Sequence, residues 1–312
     1  MRILVVGAGA TGGFFGGKLL QAGRDVTFLL RERRARQVRE SGLVLQTPKE
    51  TITLRPQVTT AAELAASAET GPGQTPFDLV VISTKAYQLD GAMADIAPAM
   101  GPVTMILPIL NGMRQLRLLQ ERFGAERVLG GSVRIVADMG ADGQIEQKTP
   151  LGELSYGEIS GERTERIEAV DRALRGAGFE AILQPDIVAT LWQKWWILAS
   201  IGTVCVLARG ATGQAASAAE GEAFVRAVIG ECTEIARANG YTPNEAMLAD
   251  HIERLLDRKS PLTSSMYRDM IKGAPVEADH ILGDLLARAQ GTETPLVRAA
   301  YVQLKVYEAG RA

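Results

Sequence analysis

The first half of the chain alternates short apolar runs with stretches of helical periodicity. Residues 3–6, 26–30, 79–83 and 103–107 are short, rich in β-branched side chains and bounded by Gly, Pro or Asp, the pattern of buried strands. Between them, 11–22, 33–41 and 87–100 carry apolar residues at helical spacing. Such alternation predicts crossover units and a parallel sheet with helices on both faces. Farther on, 127–136, 143–147 and 152–157 read as strands, 163–176 as a helix and 179–183 as a strand, with 71–76 a surface loop. The grammar changes at Gln184-Pro185-Asp186, after which only helical patterns follow. Asp186 can cap a long helix reaching about Arg209, and Ser217-Ala218-Ala219-Glu220 has the form of a capping box opening the next. Thr242-Pro243-Asn244-Glu245 offers a Thr cap, a Pro at the first helical position and a returning Glu. Thr294-Pro295 repeats the cap-plus-Pro signal for a last helix. The expected architecture is α/β, with a doubly wound N-terminal domain over 1–185 and an all-helical domain over 186–312.

Composition narrows the functional classes. A length of 312 residues suits two domains, each able to bury a core, and 46% hydrophobic with 22% charged residues is ordinary for a globular chain. Lys and Arg number 34 against 36 Asp and Glu, a net charge of −2 with no global field for nucleic acid or an anionic membrane. Cys205 and Cys232 are the only cysteines, far apart, which points to a reducing, cytoplasmic setting. With His251 and His280 the only histidines, a His-rich metal site or a His-centred triad has almost no material, and no metal is expected. The first strand starts almost at Met1 and ends in glycines, leaving no room there for a targeting segment. The longest apolar run, 195–207, falls short of the roughly 20 residues that span a bilayer, so a buried helix is expected. The oligomeric state stays open, with a homodimer among the options.

The chemistry starts at the turn after the first strand. Gly7-Ala8-Gly9-Ala10-Thr11-Gly12 follows a strand and opens a helix, the context that gives a G-x-G-x-x-G its meaning. Gly7 permits the tight turn, Gly9 lets the backbone approach a pyrophosphate, and Gly12 lets helix and strand pack closely, as in a Rossmann-type dinucleotide site. Phosphates there meet the unpaired N–H groups and positive end of the helix. An NAD site usually places an acidic residue at the end of the second strand. Here that position reads Arg31, with Arg33 and Arg34 close by. A guanidinium suits a 2′-phosphate, so NADP(H) is expected. The alternative for the basic run from Arg31 to Arg36 is a solvated helix start.

Ser83-Thr84-Lys85 and Asn111-Gly112 also end strands, where open α/β sheets bind ligands. In the helical half, Leu191-Trp192-Gln193-Lys194 opens the long helix, and Ser264-Ser265-Met266, Asp269 and Glu277 lie downstream. Their order and spacing, over nearly the whole chain, resemble the ketopantoate reductase (2-dehydropantoate 2-reductase) family. The resemblance implies an NADPH-dependent reduction of a small-molecule 2-oxo acid, ketopantoate to pantoate in pantothenate biosynthesis, by hydride transfer. It implies Lys194 as general acid and Glu277 positioning the lysine and the developing hydroxyl. Asn111 and Ser265 would hold substrate, while Arg31, Lys85 and Asn111 would contact cofactor.

The residues support those roles on their own terms. Hydride attack on a ketone builds negative charge on oxygen, which a lysine can neutralise or protonate. Lys194, followed by Trp195-Trp196, is set for partial desolvation, although a lone helical lysine more often snorkels to solvent. Ser265 could equally be a helix cap, Glu277 an exposed helix residue and Asn111 a left-handed turn residue. One departure stands out: the family usually has asparagines four and eight residues after the lysine, where this chain has Leu198 and Gly202. Ile197, Leu198, Ile201, Gly202 and Cys205 share much the same helix face as Lys194. That face would suit a larger, more apolar 2-oxo acid. A non-catalytic NADP(H)-binding sensor is the alternative from another class.

Overall fold

Arg2–Val6 (β1) lies at the centre of a five-stranded, wholly parallel sheet. Asp25–Leu29 (β2) and Gln57–Thr59 (β5) extend it on one side, Leu79–Ile82 (β6) and Met105–Pro108 (β7) on the other. Ile3, Leu4, Leu79 and Val80 are wholly buried, as expected where a parallel sheet is covered on both faces. Strand order reverses between β1 and its neighbours β2 and β6, so the carboxyl ends of β1 and β6 flank the topological switch point. The computed structural model describes residues 1–69 and 76–311; of the expected loop over 71–76, all but Pro76 lies outside them.

A second sheet runs Glu180–Leu183 (β10), Ile145–Glu158 (β9), Leu43–Gln46 (β3), Thr51–Leu54 (β4), and Leu129–Met139 (β8) pairs antiparallel with β9. Ala10–Gln21 (α1) packs between the two sheets, and its glycines make this possible. A Cβ on Gly16 would lie 2.6 Å from Phe28 Cζ of the parallel sheet. On Gly17 it would lie 2.7 Å from Leu45 Cδ1 of the second sheet, and on Gly13 it would overlap Ile145 Cδ1. Each mid-helix glycine costs about 1 kcal/mol relative to alanine. Close burial of Phe14, Phe15, Phe28, Leu43 and Leu45 in the shared core offsets that cost.

Several expected elements are redrawn. The 103–107 strand starts only at Met105, because Val103 is 76% exposed on the approach to it. The 87–100 helix is broken into a 3₁₀ turn at Ala86–Gln88, Leu89–Ile96 (α4) and a second 3₁₀ turn holding Pro98, whose ring removes a helical donor. The two strands over 143–147 and 152–157 are one, β9. Pro150 sits in the stretch between Gln147 and Gly152 where pairing with β8 lapses at a register shift, the kind of place a sheet tolerates proline. Strands β3, β4 and β5 and the helices Ala61–Glu69 (α3) and Arg114–Phe123 (α5) escape the pattern. The three strands are only three or four residues long and mostly half-exposed. Glu32–Ser41 (α2) and Glu165–Leu174 (α6) fall where periodicity puts them, and the Thr164 side chain caps α6 through the Ile167 N–H at 3.2 Å.

Beyond Pro185 the described residues are helical: Ile187–Ala208 (α7), Thr212–Ser217 (α8), Gly221–Ala238 (α9), Glu245–Leu256 (α10), Ser265–Ile271 (α11), Asp284–Ala287 (α12) and Pro295–Ala309 (α13). Asp186 caps α7 as expected, its Oδ1 accepting the Ala189 N–H at 2.9 Å. At 22 residues α7 is longer than its apolar run and could span a membrane by length and composition. Most of it is nonetheless buried inside the protein, with Trp195, Ala199, Ser200, Thr203 and Val204 fully enclosed. The capping signals after it are displaced. Ser217 ends α8 and donates back to the Gly213 carbonyl, and α9 opens instead at Glu220 in a left-handed conformation. Asn244, not Thr242, caps α10 by accepting the Met247 N–H at 2.9 Å. Pro295 does open α13, but Thr294 makes no cap bond; the Glu231 carboxylate of α9 accepts the Leu296 and Val297 N–H groups.

By packing, the chain divides into two compact units, Met1–Leu110 with Gln115–Thr190, and Asn111–Arg114 with Leu191–Ala312. The division falls a turn inside α7 rather than at 185, and the short segment from Asn111 joins the helical unit.

Candidate active site

In the first unit the glycine turn forms because three backbone strands converge on it. The Gly7 N–H bonds the Leu29 carbonyl at 3.0 Å, and the Ser83 N–H bonds the Val6 carbonyl at 3.2 Å, joining the carboxyl ends of β2, β1 and β6. Gly7 takes φ +93°, a conformation that L side chains rarely adopt. Gly12 has no room for a side chain: a Cβ would strike the Gly7 carbonyl oxygen and approach Ser83 Cβ to 2.8 Å. Gly9 is different. A Cβ there would meet only Met139 Cε at 4.0 Å, so the backbone at the N-terminus of α1 is open to a ligand. No side chain caps α1 and its first turn carries no acidic residue, leaving that end to an anion. Ala8 lies within the turn, and Ala10 and Thr11 open α1. These features fit a dinucleotide pyrophosphate.

Arg31 stands at the N-cap of α2, just past β2, with its side chain exposed. Arg34, one turn on, reaches back to the glycine turn: its Nη2 donates to the Ala8 carbonyl at 3.2 Å and its Nη1 to Gln37 at 2.8 Å. Gln37 in turn donates to the Asp142 carbonyl in the β8–β9 hairpin. The sequence shows Arg34 only as one of a basic run; the fold singles it out. Lys85 is exposed at the cap of the 3₁₀ turn after β6, and Thr84 Cγ2 would lie 3.7 Å from a Cβ on Gly7.

In the helical unit, α7 presents Lys194, Ile197 and Leu198 on a half-buried face and encloses its opposite side. Aromatic packing fixes that orientation. The Trp192 and Trp195 rings stack at 4.9 Å, with the Arg288 guanidinium over both. The Trp195 indole donates to the Ile281 carbonyl at 2.9 Å, and the Trp196 indole to Thr233 Oγ1 at 3.0 Å. Trp196 also lies against His251, which burial drives down to about 4.

The rest of the face is covered by the segment leading into α11. Cys205 Sγ lies 3.9 Å from the Leu262 carbonyl, its thiol pushed up to about 11 by burial. Met266 Cε would come within 2.9 Å of a Cβ on Gly202, so this glycine admits the methionine. Ser264 is the cap of α11, accepting the Tyr267 N–H at 3.0 Å, whereas Ser265 is its first helical residue and exposed. Glu277 is half-buried two residues before a π turn, Asp279–Gly283. Asn111 is half-buried in the same unit, and Gly112 (φ +81°) abuts that π turn, where a Cβ would lie 2.8 Å from the His280 carbonyl oxygen. Asn111, Lys194 and Glu277, distant in sequence, thus belong to one packed body. Trp195, Met266 and the π turn are contributions that apolar periodicity alone cannot reveal.

Comparison with known proteins identifies the family and the fold. The profile of the family described as ketopantoate reductase PanE/ApbA matches residues 3–161, and that of its C-terminal region matches 186–308. An uncharacterized oxidoreductase of Bacillus subtilis, YkpB, is 33% identical over 311 residues, covering 99% of both chains. The crystal structure of 2-dehydropantoate 2-reductase from Geobacter metallireducens superposes with a TM-score of 0.85 at 27% identity, over 98% of this chain and 99% of that one. D-mandelate dehydrogenase, in a ternary structure with NADH and anilino(oxo)acetate, shares the fold at TM-score 0.84 and 20% identity, over 100% of this chain and 99% of that one.

Proposed function

Because the chain belongs to the ketopantoate reductase family of oxidoreductases, we propose that it is an NADPH-dependent reductase of a 2-oxo acid, working in the cytoplasm, with ketopantoate the leading substrate. The observation that carries this reading is the packing of Asn111, Lys194 and Glu277 into one unit, with a half-buried lysine on a rigid helix.

The backbone of Gly7, Ala8, Gly9, Ala10, Thr11 and Gly12 would hold the pyrophosphate, Arg31 the 2′-phosphate, and Lys85 and Asn111 other parts of the cofactor. When bound, the reduced nicotinamide supplies a hydride to the ketone carbon. Lys194 delivers a proton to the ketone oxygen as negative charge builds there. Glu277 orients that ammonium and accepts from the forming hydroxyl. Asn111 and Ser265 orient the substrate, and Ile197 and Leu198 exclude water from beside the lysine, which strengthens its field.

A second reading concerns the substrate alone. Leu198 and Gly202 stand where the family usually has asparagines, and Met266 closes over Gly202. A buried substrate hydroxyl without its partner costs about 1–3 kcal/mol. A 2-oxo acid with an apolar side chain avoids that loss, and the D-mandelate dehydrogenase neighbour was solved with a ligand whose name describes an aromatic 2-oxo acid derivative. The test is NADPH oxidation measured with ketopantoate beside branched and aromatic 2-oxo acids. Turnover with ketopantoate at the highest kcat/KM supports the leading substrate, and a preference for the apolar acids supports the second. Cofactor affinity without turnover on any of them would leave a nucleotide-binding sensor.

A further inference from the structure

We propose that Trp195 is a positioning residue for the candidate site, acting through the π turn Asp279–Gly283; this rests on the reductase reading above. Three elements with candidate site residues meet at that turn. It follows Glu277 by two residues, it receives the indole next to Lys194, and it abuts the glycine next to Asn111.

The geometry is specific to the turn's irregular bonding. The Asp284 N–H bonds the Asp279 carbonyl, five residues back, where a regular α-helix would direct it to His280. The His280 carbonyl, to which α register would direct the Asp284 N–H, is the one facing Gly112. The next carbonyl, Ile281, takes the Trp195 Nε1–H at 2.9 Å, with both residues buried. Two consecutive carbonyls of a widened turn therefore face α7 and the Asn111-Gly112 turn. Outside, Asp279 is anchored to α13 by Tyr301 Oη at 2.6 Å and Lys305 Nζ at 3.0 Å. The indole is itself held flat by Trp192 and by Arg288, which bonds Asp284 at the end of the turn.

Such a turn has an alternative. Reverting to α register would move Glu277 around the helix axis relative to residues 284–287, and the indole bond is made in the π register. A donor on the same rigid helix as Lys194 thus ties the carboxylate's position to the ammonium's. Gly112 serves from the other side: only a residue without a Cβ lets the Asn111 turn close on the His280 carbonyl at φ +81°.

The experiment uses the full chain with Trp195→Phe, which keeps an aromatic ring and removes the N–H, Gly112→Ala, and the double variant. Hydrogen exchange is followed by mass spectrometry, and turnover is measured with NADPH and the best 2-oxo acid of the panel. For Trp195→Phe, exchange should accelerate about tenfold or more in segments containing 278–285 and 111–114 and stay unchanged in α9. Its kcat should fall about tenfold to a hundredfold, with the cofactor dissociation constant within about twofold of the parent. Gly112→Ala should lower kcat similarly, and the double variant should lose far less than the product of the two losses, because both act on one turn. A kcat within twofold of the parent for a folded Trp195→Phe, exchange raised evenly over the helical unit, or fully multiplicative losses would each overturn the proposal. If Trp195→Phe fails to fold, the exchange pattern of Gly112→Ala decides: acceleration confined to 278–285 and 111–114 supports the coupling, and its absence there refutes it. A parent protein that reduces no 2-oxo acid overturns the reductase reading instead, and the exchange pattern alone then judges whether the indole holds the turn.

Discussion

The turn after β1 and the face of α7 around Lys194 are made of different material. The first offers backbone: Gly7, Gly9 and Gly12 are there for what they lack, and the neighbouring β2 and β6 ends fix the turn by main-chain hydrogen bonds. The second offers side chains, a lysine and a carboxylate on elements packed by the indoles of the lysine's own helix, the Arg288 guanidinium just after α12 and the Met266 thioether of α11. A backbone site is robust to neighbouring substitution and vulnerable to any added Cβ. A side-chain site can lose its chemistry through one truncation while its fold survives. The second is therefore where a few substitutions can change specificity, and Leu198 and Gly202 lie on the helix that carries it.

That contrast can be broken experimentally. Lys194→Ala should lower kcat by about a hundredfold or more, within the range for loss of a general acid, while NADPH still binds by fluorescence titration. Near-full turnover would take the lysine out of the mechanism. Gly12→Ala should do the reverse, damaging binding and stability first. Its methyl strikes the Gly7 carbonyl, and overpacking of this kind costs about 1–3 kcal/mol, read as weaker NADPH binding and a lower Tm. An unchanged Tm with normal affinity would mean that the turn yields more easily than its geometry implies.

The helical unit also has a pH dependence of its own. Burial holds His251 down at about 4, below its ordinary 6.5, so the unfolded chain binds a proton that the folded one refuses. The stability this contributes is complete above about pH 6.5 and is lost as pH falls toward 4. Between pH 6.5 and about 5 the loss is about 2 kcal/mol. Urea unfolding of the parent and of His251→Leu over that interval should show the parent losing more; parallel losses would remove His251 as the cause. Smallest is the effect at Arg31, a side chain beside the backbone site. Arg31→Ala should weaken NADPH about tenfold more than NADH, the order of one charge-assisted contact. Equal weakening would hand the 2′-phosphate to another group, with Arg34 the first candidate because it already touches the glycine turn.

Legibility followed the same divide. The 3–6 strand, the glycine spacing and the α1 start could be read together because a strand–turn–helix is decided within about twenty neighbouring residues. The long α7 is legible too, from its Asp186 cap to about Arg209. Caps are less legible. Ser217 and Thr242 carry the right chemistry, but the chain enters α9 and α10 at Glu220 and Asn244. At α13, Thr294 is displaced as the cap by Glu231, a carboxylate from another helix that no local pattern could nominate. Within the candidate site, Lys194 stood out by its aromatic context. Ser265 lies one residue past the α11 cap, Ser264, and Arg34 is indistinguishable in sequence from its basic neighbours.

What local order dictates here is the doubly wound half, its glycine turn and the run of helices after Pro185, since period, breakers and spacing act between near neighbours. Tertiary packing alone drew Asn111 into the helical body, set Met266 over Gly202, and turned two carbonyls of a π turn toward Trp195 and Gly112. Those outcomes depend on which surfaces touch across long stretches of chain, and a contact between distant segments leaves no periodic trace in either of them.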